Sequence, residues 1–381
     1  MLKELYLSNY RSIGDVHFHP ARLSVVVGAN GSGKSSLMDG LMFLREAVLH
    51  GLSAAITHRG GIQAVRRRSG GRPFHMRVVA ELELPDGTAR YGFTVGGARE
   101  AEYRVLEEDM VITGPQGPVR FHRNQDRFEG SEGLAPRPDA QALALTALTG
   151  DTRVRALTDL LAGTMVYSIF PDTLREPQKH DATTPMRAHG ENWVSTLKAL
   201  LERPQARQDL TDALQRATGD IRDLRTASAA GFLVAEFQQS LIPGRTADRR
   251  AWMSALQQSD GTLRIAGILT ALLQEPALPL IGLEEPELTV HPGMIPLIMD
   301  YLRQASKRSQ ILLTTHSPLL LDHVDVDQDA IYVARRMDGE TRIHRVSDET
   351  LQPVRDRLLE LRDLYESDAL QPPLPWSDAL P

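Results

Sequence analysis

Apolar and polar positions change period several times along the chain, and each change marks an element. Leu23-Ser24-Val25-Val26-Val27 is a short β-branched run that reads as a buried strand, and Ser36–Leu44 behind it carries apolar residues at helical spacing. His75–Leu84 alternates, Pro85-Asp86-Gly87-Thr88 turns, and Ala89–Val95 alternates again, which predicts a β-hairpin. Tyr103–Ile112 continues it as a meander. Asp139 to about Ala162 predicts helix, with Leu143, Leu145, Leu148, Leu157 and Leu160 apolar and Gly150 as a break. Asn192–Leu201 and Gln208–Ala217 predict two short amphipathic helices joined through Pro204. Apolar strand-like runs return at Phe232–Phe237, Leu278–Leu283, Gln310–Thr315 and Ala330–Arg335. A turn at Asp338-Gly339, a short strand and a helix near Leu351–Tyr365 follow, then a Pro-rich tail, Leu370–Trp376, expected to be flexible. There is no sustained heptad, hence no long coiled-coil arm, and no internal repeat.

Composition narrows the picture modestly. With 381 residues and 41% hydrophobic content the chain exceeds one average domain and has ample core. The absence of any apolar run of membrane-spanning length argues against a membrane span. The N-terminus lacks the basic-then-apolar pattern of a secretory signal, so a cytoplasmic location is expected. There is no cysteine, which excludes disulfides and thiolate chemistry. Net charge is −6, so the whole chain is no basic nucleic-acid binder.

The candidate chemistry begins directly after the first buried strand. Gly28-Ala29-Asn30-Gly31-Ser32-Gly33-Lys34-Ser35 matches G-x-x-x-x-G-K-[ST] at every fixed position, between a strand and a helix. Glycines let the backbone wrap a phosphate chain with its N–H groups inward, and the helix N-terminus adds positive potential. Gly28, Asn30, Gly31, Ser32, Gly33, Lys34, Ser35 and Ser36 are thus the nucleotide-binding candidates. Lys34 would reach the β- and γ-phosphates, and the Ser35 hydroxyl would ligate Mg²⁺. A second constellation closes the apolar run 278–283: Glu284-Glu285-Pro286-Glu287. Adjacent acids at the end of a buried strand are costly unless they meet a cation. Glu284 is assigned to the Mg²⁺ shell and Glu285 to polarising the attacking water. A third lies at His316-Ser317-Pro318, past the strand Gln310–Thr315: His316 is placed to sense a γ-phosphate, and Ser317 to cap the following helix.

The order of these motifs, with Leu5-Tyr6-Leu7-Ser8-Asn9-Tyr10-Arg11-Ser12-Ile13 before them and Ser259-Asp260-Gly261-Thr262 between them, resembles the ABC-type ATPases of the RecF, SMC and OLD-like branch. The resemblance covers residues 1–65 and about 230–335. It implies an α/β P-loop NTPase: an ABC-ATPase-like head with an antiparallel β lobe and a helical subdomain. It further implies ATP and Mg²⁺ as cofactors, Arg11 among the nucleotide contacts, and Ser259, Asp260, Gly261 and Thr262 as a signature touching the nucleotide of the opposite subunit. Gln63 is the candidate for the glutamine that joins metal to lid. Two departures stand out: Glu284 replaces the usual aspartate, with Gly282 inside the strand, and Asp260 stands where transporters have glycine.

The implied organisation is an N-terminal ATPase lobe (1–130), a helical insertion (131–230), a C-terminal ATPase lobe (231–366) and a tail (367–381). The implied assembly is a homodimer or higher homo-oligomer around two ATP–Mg²⁺. A role near DNA follows, in repair or defence, with a separate nuclease or toxin as effector and no membrane partner. The alternative is an ATP-binding scaffold with little hydrolysis. Arg66-Arg67-Arg68, with Arg59, Arg72 and Arg77 nearby, is the candidate nucleic-acid contact, or else a solvated or salt-bridged loop.

Overall fold

The computed structural model describes residues 1–68, 75–97, 103–115, 117–181, 185–240 and 250–370. Its strands are β1 (Leu2–Tyr10), β2 (Ile13–Phe18), β3 (Leu23–Val27), β4 (His75–Leu84), β5 (Gly87–Gly96) and β6 (Arg104–Thr113). Then come β7 (Val119–Asn124), β8 (Arg127–Gly130), β9 (Thr164–Tyr167), β10 (Gln178–Lys179), β11 (Ile221–Ala229) and β12 (Phe232–Ser240). The last are β13 (Arg250–Ser254), β14 (Leu280–Glu284), β15 (Gln310–Thr315), β16 (Ala330–Met337) and β17 (Glu340–Arg345). The helices are α1 (Lys34–Leu49), α2 (Leu52–His58), α3 (Ile62–Val65), α4 (Ala144–Leu148), α5 (Arg155–Ala162), α6 (Pro171–Arg175) and α7 (Trp193–Leu201). They continue with α8 (Pro204–Thr218), α9 (Asp260–Leu273), α10 (Ile295–Ser306), α11 (Pro318–Leu321), α12 (Asp348–Arg355) and α13 (Leu361–Glu366).

The chain forms two units, Met1–Thr164 with Val326–Leu359 and Ser367 onward, and Met165–Asp325 with Glu360–Glu366. In the first, strands run in the order β8-β7-β6-β5-β4-β1-β2-β17-β16-β3. The meander is antiparallel throughout β1, β4, β5, β6, β7 and β8, whereas β3 pairs parallel to β16. All five residues of β3 are buried, as a strand reading apolar at nearly every position requires. Leu37, Leu41, Phe43, Leu44 and Val48 of α1 are buried too.

In the second unit β14 lies between β15, to which it is parallel, and β9. A small antiparallel sheet joins β11, β12, β13 and β10. Its core helix is α9, buried at every position from Thr262 to Leu272. Trp193, fully buried on α7, donates from Nε1 to Thr270 Oγ1 of α9 at 3.0 Å.

The stretch from Asp139 to Ala162 breaks around Gly150 as expected, into the two short helices α4 and α5, but the first begins only at Ala144. Residues 149–154 leave the helix because Asp151 turns its carboxylate onto the backbone and guanidinium of Arg153, at 2.9 and 2.6 Å. The expected helix near Leu351–Tyr365 also divides, into α12 and α13, with Pro353 inside α12 and Arg357 at φ 58 after it. Part of the expected tail, 371–381, lies outside the described residues.

Candidate functional site

The phosphate-loop half belongs to the first unit. β3 delivers the chain at Gly28, and pairing of Val27 with Val333 sets Gly28 beside the next carbonyl of β16, so a Cβ there would lie 2.3 Å from Ala334 O. Gly31 and Gly33 have φ of 76° and 104°, conformations that side-chain-bearing residues rarely adopt. Lys34 is 5% exposed and its Nζ donates to the carbonyls of Gly28 (2.7 Å) and Ala29 (3.1 Å). The N–H groups of Gly31, Gly33 and Ser35 are left without a hydrogen bond among the described residues, and the buried Ser32 Oγ has no partner. Donors of this kind at the start of a 16-residue helix fit a phosphate group. Asn30 and Ser35 are exposed, and the Ser35 hydroxyl is of the donor type that suits Mg²⁺.

A polar chain supports this loop from the side. Thr341 Oγ1 of β17 donates to Ser32 O (3.0 Å) and meets Ser12 Oγ at 2.8 Å, and Ser12 Oγ meets Ser36 Oγ at 2.8 Å. The turn Asn9–Ser12 is therefore fastened to the loop at two points. Arg11, at φ 48, pairs through Nε with Asp39 of α1 at 2.7 Å. Asp39 also accepts from Tyr10 OH and from Arg59 Nε (2.9 Å), and Arg59 reaches Glu46 at 2.6 Å with its side chain only 6% exposed. Burial works to lower the Arg59 pKa, but the surrounding Tyr10, Glu46 and Asp39 oxygens raise it overall. Thr341 and Arg59 escape motif reading as site supports because they stand far from the loop in sequence, and Asp39, on α1 just past the loop, because no motif position marks it.

The acidic half belongs to the second unit. Glu284 ends β14 in register with Thr314. Glu285 then turns out of the strand at φ 45, with its N–H on Thr314 O at 2.9 Å. Its Oε1 lies 2.9 Å from Nδ1 of His316, which follows β15. Parallel pairing of β14 and β15 is what brings these two residues together. Arg264, 5% exposed on α9, donates to Glu285 O at 2.8 Å and Ile169 O at 2.8 Å, clamping the turn. Burial lowers the Arg264 pKa, while Glu287 and Glu285 oppose that shift. Glu287, 8% exposed, accepts from Thr315 Oγ1, leaves Oε2 without a partner, and has its pKa raised by burial. Arg264 is a further site residue that motif reading passes over, whereas Glu287 belongs to the acidic run Glu284–Glu287 that the sequence already singles out.

Ser259 is the N-cap of α9: its hydroxyl accepts from Thr262 N at 3.2 Å and meets Thr262 Oγ1 at 2.8 Å. Asp260 pairs with Arg175 of α6, whose pKa is raised by that contact first. Gly261 is close-packed, since a Cβ there would lie 2.9 Å from Thr289 O. Ser317 stands at the N-cap of α11, but its hydroxyl makes no cap bond.

Gln63 is exposed on the four-residue α3. In the arginine cluster, Arg66 donates to Gly97 O and Arg67 pairs with Glu340, both at 2.5 Å, while Arg68 is exposed. Arg77 lies 3.6 Å from Glu107, and Arg72 is outside the described residues. No described helix is long and apolar enough to cross a membrane.

This architecture, a phosphate loop after a parallel strand and an acidic strand end next to a strand ending in histidine, is that of ABC-type ATPases of the SMC, Rad50 and RecF branch. The chain belongs to the family described as "AAA domain, putative AbiEii toxin, Type IV TA system", whose model matches residues 23–322. It is 23% identical over 227 residues to a DNA double-strand break repair Rad50 ATPase of Sulfolobus acidocaldarius, covering 59% of this chain but only 23% of that protein's length. Among solved structures it is similar to an Smc head bound to the C-winged helix domain of ScpA, at TM-score 0.57 and 16% identity, covering 91% of this chain and 98% of that one. A second is an Smc head with an extended coiled coil bound to the C-terminal domain of ScpA derived from Pyrococcus furiosus, at TM-score 0.54 and 12% identity, covering 94% and 99%.

Proposed function

We propose that the chain is an ATP-hydrolysing switch that dimerises around nucleotide, located in the cytoplasm and acting in DNA repair or anti-phage defence through a separate effector. The observation that carries this reading is the Glu285–His316 pair: a carboxylate turned out of a buried strand at φ 45 and held at 2.9 Å by an imidazole. Backbone strain of this kind is kept where a site needs a side chain aimed. In this reading Lys34 and the N–H groups of residues 31–35 bind the phosphates of ATP. Glu285 accepts a proton from the attacking water, and His316 holds the carboxylate and reads the γ-phosphate. Mg²⁺, which the Ser35 hydroxyl would help to hold, would supply charge neutralisation on the β- and γ-phosphates.

Dimerisation has its own support. Leu256, three residues before Ser259, is 66% exposed; Leu288 and Leu319, three after Glu285 and His316, are 38% and 42% exposed. Exposed leucines beside the signature, the acidic strand end and the histidine are surface that a second copy would remove from water. In the pair, Ser259, Asp260, Gly261 and Thr262 of one copy meet the nucleotide of the other, with isologous symmetry.

The test is Glu285→Gln with ATP, followed by light scattering and phosphate release. The isostere keeps shape but cannot accept the proton, so a persistent dimer without hydrolysis is expected. Wild-type hydrolysis by the variant would remove Glu285 from the role of base. Glu284 in the usual aspartate position favours a second reading, a scaffold that binds ATP without turning it over. In that case wild type dimerises with ATP and releases no phosphate.

A further inference from the structure

The N-terminal hairpin carries a cluster that the nucleotide chemistry leaves unused. Glu4 lies on β1, His17 on β2 and His19 one residue past β2. Antiparallel register pairs Tyr6 with His17 and Leu5 with Phe18, so residues 4, 6, 15, 17 and 19 share one face. The other face is anchored: Leu5, Leu7, Val16 and Phe18 are at most 3% exposed. On the polar face His17 Nδ1 hydrogen-bonds Glu4 Oε1, and His19 Nε2 lies 3.9 Å from the same oxygen. One ligand atom from each of the three falls within 4.8 Å of the others, the one such convergence among the described residues.

We propose that Glu4, His17 and His19 form a binding site for a divalent transition metal of the zinc class. Two imidazoles and one carboxylate suit Zn²⁺, whereas Mg²⁺ prefers oxygen donors. Zinc bonds of about 2.0–2.2 Å to N and O ligands call only for side-chain rotation here, since the ligands already converge on anchored strands. The supporting groups are also in place. Asp15 Oδ1 stands 3.8 Å from His17 Nε2, the nitrogen left over when Nδ1 takes the ion, and Tyr6 OH holds Asp15 Oδ2 at 2.8 Å. The Tyr6 ring lies against the His17 ring, centroids 4.4 Å apart, and Tyr332 OH donates to His19 O, fixing that backbone. On binding, each imidazole nitrogen and the carboxylate donate a lone pair to the ion. Nδ1 of His17 gives up any proton it shares with Glu4, and the ring binds as the neutral tautomer with its N–H on Nε2, toward Asp15. Water completes the coordination, the arrangement of an open three-ligand site. The ion would cross-link β1 to β2 at the end of the hairpin opposite Arg11.

The test uses untagged full-length protein without nucleotide, titrated with Zn²⁺ by calorimetry and with Co²⁺ by visible absorption, in excess Mg²⁺. One equivalent of Zn²⁺ is expected to bind, unaffected by Mg²⁺, with a Co²⁺ ligand-field band that Zn²⁺ abolishes. His17→Asn with His19→Asn should lose the band. Its Zn²⁺ affinity should fall by more than the roughly 10–100-fold that loss of a mere supporting partner causes. Both histidines are exposed, so ATP binding by the double variant should stay at wild-type level and certify its fold. No Zn²⁺ binding by wild type, or equal binding by the variant, overturns the proposal.

Discussion

Lysine 34 brings the phosphate loop its side-chain positive charge, and its ammonium rests on the carbonyls of Gly28 and Ala29. A phosphate chain offers it a better partner than two neutral carbonyls. Lys34→Ala should therefore lose nucleotide affinity by at least about 1.5–3 kcal/mol, a ten- to hundredfold change by calorimetry, with the fold intact by circular dichroism. Wild-type affinity in the variant would take the loop out of nucleotide binding. Arginine 59 makes the contrasting case. With its side chain 6% exposed between Asp39 and Glu46, it is structural. Arg59→Ala takes the guanidinium from part-buried Glu46 and leaves Asp39 with Arg11 alone, and should cost about 1.5–3 kcal/mol, read from the denaturation midpoint. The loop lysine and Glu285 are legible in sequence because their motifs are contiguous. Arg59 and Thr341 are not, since the fold alone brings them to the turn and the loop, and Asp39, though close to the loop in sequence, shows its role only through its partners Arg11, Tyr10 and Arg59.

At the scale of elements, glycine placement does most to shape the loop. Gly33 has φ 104, and a Cβ there would fall 2.0 Å from Thr341 Oγ1. Gly33→Ala should displace Thr341 from Ser32 O and Ser12, and weaken nucleotide binding with Lys34 still present. Unchanged affinity would mean that the loop tolerates a different path. The N-cap of α9 separates two roles of one residue. Ser259→Ala should lower stability by about 1 kcal/mol through the lost cap, and in addition abolish ATP-dependent dimerisation. A variant that dimerises normally after losing only the cap energy would confine Ser259 to helix capping. The meander β4–β6 is readable from alternation, and β14 and β15 from their apolar runs. β7, β8 and β11 are not: Val119–Asn124, Arg127–Gly130 and Ile221–Ala229 are mostly polar, and only neighbouring strands make them sheet.

For the whole molecule, the nucleic-acid reading of residues 66–68 narrows. Arg66 and Arg67 are bonded within the chain to Gly97 and Glu340. If the cluster grips duplex DNA, Arg68→Ala should account for most of the effect, making the slope of log affinity against log salt shallower by about 0.9. An unchanged slope would leave the loop a protein surface. The central claim is that each ATP is held by the phosphate loop of one copy and the signature of another, and mixing two inactive variants tests it. Lys34→Ala lacks the loop cation but keeps its signature; Ser259→Arg keeps the loop but blocks its signature. Each alone should release no phosphate. An equimolar mixture, re-paired at random into two-fold dimers, should recover about a quarter of the wild-type sites and a matching ATPase rate. A mixture as inactive as its components, under conditions where wild type hydrolyses ATP, would contradict the shared site.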